Sequence, residues 1–202
     1  MLLNEMNADM NVINIHTKEI FWGSIVLIVC LGFYLAWWIL AFRPEGAAPH
    51  SRTVPLLALA AAAGAVSVAL QMFGISKLPH EVTMFPGKVI LWGGVLLYVV
   101  LLIVTSVIFH RQATSELLLI IGWAMLELSA VDALYGTGQF THITAVILCL
   151  VVAAAVVISM ICYMLYYHME AVPGYHMAMV PLITEAVVMA VFSITIIAAL
   201  RG

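Results

Sequence analysis

Six apolar runs divide the chain, near residues 19–42, 53–75, 87–110, 114–135, 141–167 and 175–200, with short polar stretches between them. Each run can cross a hydrocarbon core of about 30 Å at about 1.5 Å per helical residue. Backbone donors and acceptors meet no water inside lipid, so runs of this length are predicted to be helices. The pattern predicts an all-α, polytopic membrane helical bundle of six transmembrane helices with short loops. The connections RPEGAAPHSR, SKLPHEVTMFPGK, HRQAT, GTGQFT and HMEAVPG are rich in turn formers and leave no room for a second domain.

Ahead of the first run, residues 1–18 are polar, but Leu3, Met6, Met10 and Ile13 recur at helical spacing. That spacing suggests a short interfacial N-terminal segment, although it is poor in the Lys and Arg that hold anionic lipid. The expected organisation is this segment followed by a membrane domain over 19–202. No basic stretch, apolar core and cleavage site opens the chain, so the first helix is expected to act as an uncleaved insertion signal.

Aromatic residues mark the helix ends. Phe21 and Trp22 open the first helix, Tyr34, Trp37, Trp38 and Phe42 close it, and Tyr163, Tyr166 and Tyr167 close the fifth. They read as a membrane-interface belt. Small residues over 58–65 suggest close backbone approach and a central place for the second helix. The fifth, with alanines at 153–155, is expected to pack similarly. An internal repeat is suggested by Ile20-Phe-Trp-Gly-Ser-Ile-Val-Leu against Ile90-Leu-Trp-Gly-Gly-Val-Leu-Leu. A repeated two-helix hairpin of this kind is a common device in transporters.

Composition sharpens the class. Hydrophobic residues make up 65% of the 202 residues and charged residues 8%, with a mean hydropathy of +1.17, far from the ~25% charged of soluble domains. The net charge of -3 is small and spread over loops, which excludes the clustered basic face of a nucleic-acid binder. Four basic residues (Lys18, Lys77, Lys88, Arg201) fall on one predicted side and three (Arg43, Arg52, Arg111) on the other. That balance leans only weakly towards cytoplasmic termini. Cys30, Cys149 and Cys162 all fall in apolar helices and form no C-x-x-C pair, so they read as small buried hydrophobes.

The candidate chemistry lies in intramembrane acids. A charged side chain near the bilayer centre costs at least about 2.5 kcal/mol on insertion scales, so an acid there is a functional candidate by default. Glu127 lies near the middle of the fourth helix and Glu185 some ten residues into the sixth. Even-numbered helices run the same way, which puts the two at comparable depth. Facing one another, they would share a proton or a cation as a coupled pair. Asp132, five residues beyond Glu127 and rotated roughly 140°, lies nearer the far interface and is expected at an access point. Pro181 removes one helix hydrogen bond a turn before Glu185 and predicts a kink, with Thr184 beside the acid. Ser129, with Ser67, is a candidate for a polar path beside Glu127. The alternative for every one of these groups is a structural role, each bonded to a helix carbonyl. That reading is also expected for Ser24, Gln71, Thr105, Ser106, Ser159, Ser193 and Thr195.

The histidines (His16, His50, His80, His110, His142, His168, His176) lie at helix ends or in loops, which argues against axial haem ligation. His168, Met169, His176 and Met177 form a weak candidate copper set, since thioethers with imidazole suit copper. No cofactor is specified. GxSxG, HExxH, Walker and GxGxxG motifs are all absent.

The leading reading is a small proton- or cation-coupled transporter or channel, multi-pass in a cytoplasmic or inner membrane, in contact with the lipid bilayer. Competing with it is a non-catalytic integral subunit of a larger, for example respiratory, membrane complex. A copper- or redox-dependent membrane enzyme is a weaker third. Other membrane subunits or a homo-oligomer are the expected partners, and nucleic acid is not.

Overall fold

The computed structural model describes residues 2–46, 48–78, 84, 87–108 and 115–201. Six α-helices dominate the described residues: α1 Leu2–Ala41, α2 His50–Lys77, α3 Gly87–Ile103, α4 Ser115–Gly136, α5 His142–Tyr166 and α6 Ala171–Arg201. No strand occurs among the described residues. Five helices are long and apolar enough to cross a membrane: those containing Val12–Ala41, Ser51–Lys77, Leu119–Gly136, His142–Tyr166 and Val172–Arg201. α3 is shorter and passes into a π-helical turn, Val104–Ile108. Residues 79–83, 85–86 and 109–114, within two of the predicted connections, lie outside the described residues.

α1 differs from its predicted bounds. It runs without interruption from Leu2, so residues before 19 continue the first span. The physical reason is local: no Pro or Gly occurs between Leu2 and Gly23, and Thr17 bonds back to the Ile13 carbonyl at 2.8 Å, within the helix ladder.

α1 packs along α2 and α6, α6 packs on α5, α5 on α4, and α4 meets α2, which closes a ring of five helices. α3 stands outside this ring against α4. The α1–α2 contact is the most intimate. At Gly23 an added Cβ would come 2.5 Å from Gln71 Cγ, and at Gly74 it would come 2.9 Å from the His16 carbonyl oxygen. The small residues of α2 thus serve one stripe. Its other faces point outward, so α2 is the most exposed of the five long spans, and the expectation of a central α2 is overturned. Apolar side chains facing lipid need no protein cover, so a single close-packed stripe suffices. α4 is the most enclosed span instead.

Ends and turns follow local chemistry. Thr141 caps α5 by accepting from the Thr144 amide at 3.2 Å. Gly138, at φ +75°, supplies the left-handed residue of the α4–α5 turn. Cys30 donates its thiol to the Ala60 carbonyl at 3.1 Å, and the three cysteines are unpaired.

Candidate functional site

α4 and α6 sit across the ring from one another and each contributes one acid to its interior. Glu127 and Glu185 are each 1% exposed. They interact directly, carboxyl against carboxyl. One turn away on α4 lie Trp123, Ala124 and Val131, and one turn away on α6 lie Leu182, Val188 and Met189, all buried and apolar. Beside the pair, Ala124, Val152, Ala155 and Val188 pack α4, α5 and α6 together. The surroundings are those of a hydrophobic core.

The hydrogen-bond inventory is the decisive feature. Apart from each other's carboxyl, both oxygens of Glu127 and Oε1 of Glu185 are buried without a hydrogen-bond partner. Two ionised carboxylates accept only, so neither can satisfy the other. Nearby hydroxyls do not rescue them, because Ser129 donates to the Met125 carbonyl of its own helix at 2.8 Å. Basic residues are missing too, since the sequence holds no Lys or Arg between Arg111 and Arg201. A carboxyl pair so placed can be completed chemically by a proton bridging the two oxygens or by a small cation between them.

The remaining sequence candidates scatter. Asp132, 5% exposed, accepts the Met84 amide at 2.6 Å and so ties the connection after α2 to α4. Pro181 is buried within α6, which continues through it, and Thr184 is partly buried. Ser67 lies on the α1–α2 seam, donating to the Gly23 carbonyl at 2.7 Å and accepting from Gln71 Nε2 at 3.2 Å. His168 and His176 each engage a carbonyl one turn back, Met164 and Val172, through Nδ1 at 2.9 Å. Among the described residues no three His, Cys, Asp or Glu side chains converge as a metal set.

Two features departed from expectation. Ser159 and Ser193 are buried with unpartnered hydroxyls, whereas Ser24 and Thr195 bond back to the carbonyls of Ile20 and Val191. The side chains of Thr105 and Ser106 lie outside the described residues. Trp38 and Tyr34, expected in an interface belt, are buried at 6% and 9% exposure. The hint available in the sequence was their density, with four aromatics in the last nine residues up to Phe42.

No protein-family model, curated protein or solved structure matches the chain. The architecture is that of a multi-pass helical membrane protein.

Proposed function

We propose that the chain is a small proton- or cation-coupled transporter or channel whose loading site is Glu127 with Glu185. In this reading α3 with its π-helical continuation is a sixth span, and the bundle sits in a cytoplasmic or inner membrane. One observation carries the reading: two facing, buried carboxyls, three of whose four oxygens find no donor outside the pair. A purely structural acid is retained with its hydrogen bonds made, because a bare buried acceptor costs about 1–3 kcal/mol. This pair is instead left open for an exchangeable partner. Pro181 and Thr184 shape the α6 side of the site, and Ser129 and Asp132 line the approach along α4.

The competing subunit reading has one feature in its favour. An apolar groove of about 400 Å³, bounded by Gly94, Leu97, Met125, Leu128, Val152 and Val156, opens between α3, α4 and α5. An acyl chain fills such a groove as readily as a partner helix does.

Proton uptake by proteoliposomes containing the purified chain tests the proposal. Wild type is expected to acidify the lumen under an imposed gradient, and Glu127→Gln and Glu185→Gln to stop it while keeping the helical content. Silence of folded wild type, or activity surviving both substitutions, would reject it and turn attention to co-purifying membrane subunits.

A further inference from the structure

A second, half-open pocket lies far along the bundle from the acids, where α1 ends and α5 turns into α6. Its volume is about 270 Å³, and its walls include Trp38, Phe42, Tyr166, Tyr167, Tyr175 and Glu170. The rings are set at varied angles. Trp38 and Phe42 have centroids 4.4 Å apart with planes inclined at 32°. Trp38 meets Tyr166 at 6.5 Å and 67°, and Tyr166 meets Tyr167 at 5.4 Å and 64°. Tyr175 donates its hydroxyl to the Ile39 carbonyl at 3.1 Å, which fastens α6 to the end of α1.

Three observations set this space apart from an ordinary interface belt. A belt tryptophan keeps its indole N–H wet, but Trp38 Nε1 is buried and has no partner. α1 and α5 both end here, and neither carries a basic residue in its last turn. Their end carbonyls are already bonded, Ile39 to the Tyr175 hydroxyl, Leu40 to the Ala48 amide and Leu165 to the Met169 amide, so no basic side chain competes with Glu170 at these helix ends. Glu170 adds a carboxylate on the rim, and among the described residues no Lys, Arg or His lines the space. Glu170 also precedes the first turn of α6, where an acid complements that helix's dipole. That accounts for its sign and leaves the aromatic walls unexplained.

We propose that this cavity is an aromatic cage for an alkylated ammonium group of the trimethylammonium class. Aromatic faces attract such a cation through the ring quadrupole, and a nearby carboxylate adds to the attraction. A hard metal ion is a poor occupant, since it wants about six oxygen ligands and the cavity offers one carboxylate. The group has two possible sources, a choline lipid headgroup or a free solute, and both present the same chemistry to the cage. The assignment stands independently of proton coupling at Glu127 and Glu185.

The test is calorimetric titration of the full chain in a choline-free maltoside detergent. The probes are tetramethylammonium and 3,3-dimethylbutan-1-ol, an analogue in which a neutral tert-butyl group stands for the trimethylammonium of choline. A parallel arm compares thermal unfolding in nanodiscs of phosphatidylcholine with that in nanodiscs of phosphatidylglycerol. Glu170→Gln and Tyr167→Leu are the variants, with near-ultraviolet circular dichroism to verify folding. Tetramethylammonium is expected to bind wild type and to weaken roughly five- to thirtyfold in either folded variant, with the neutral analogue silent; this outcome identifies a free solute. Stabilisation by phosphatidylcholine alone, lost in the same variants, supports the cage and identifies a lipid headgroup. Equal binding of the neutral analogue would overturn the proposal, as would no response of folded wild type in either arm.

Discussion

Ser67 on α2 donates its hydroxyl to the main-chain oxygen of Gly23 on α1 at 2.7 Å, at a point where no side chain separates the two helices. The same hydroxyl accepts from Gln71 Nε2, so one oxygen serves two buried partners. Ser67→Ala is expected to destabilise the bundle by about 1–3 kcal/mol, because it strands the buried Gln71 amide and removes the cross-helix bond to the Gly23 carbonyl, which keeps only its own helix bond. Adding Gln71→Leu removes one stranded group, so the double variant should unfold at no lower temperature than Ser67→Ala. Thermal unfolding in detergent measures both.

Gly74 gives a steric counterpart. A methyl group there meets the His16 carbonyl at 2.9 Å, and a helix carbonyl cannot swing aside as a flexible side chain can. Gly74→Ala is expected to cost about 1–3 kcal/mol through overpacking. Gly122→Ala, where an added Cβ meets nothing within 4 Å, should leave the unfolding temperature unchanged or slightly raised.

The acid pair predicts a trade between stability and activity. In Glu127→Gln the new amide nitrogen can donate to the Glu185 carboxyl, supplying the donor that the site lacks. The variant should unfold at a higher temperature than wild type, by the equivalent of about 1–2 kcal/mol, while losing proton movement. A scan of unfolding temperature against proteoliposome flux reads both, and a destabilised Glu127→Gln would contradict the open-acceptor description.

Asp132 anchors the connection after α2 through the Met84 amide. Asp132→Asn retains an acceptor oxygen, whereas Asp132→Leu removes it. Hydrogen exchange at Met84 should accelerate about tenfold or more in Asp132→Leu, matching loss of a charge-assisted bond of about 1.5–3 kcal/mol, and change less in Asp132→Asn.

The helical class and five of the six expected spans were legible because apolarity over twenty residues admits no other backbone arrangement in lipid. Glu127 and Glu185 stood out against such runs, and their equal depth followed from counting helices. That they face each other did not follow, since helix rotation is set by which stripes pack, here Ala124 and Val188 against Val152 and Ala155. The place of α2 was misjudged for a related reason: small residues announce close approach but not how many faces are covered. The cavity at Trp38 was hidden because a ring at a helix end looks the same whether it meets headgroups or other rings. Only the meeting of α1 with the α5–α6 turn tells them apart.

The partners that close the ring come from opposite ends of the chain, and this imposes an order on biogenesis. Chains are made and delivered from the N-terminus onward. α4 therefore enters the bilayer with Glu127 before α6 has been synthesised, and α1 waits for the same helix to fill its second flank. Until α6 arrives, Glu127 lacks the one carboxyl that sits beside it, and the ring stays open between α1 and α5.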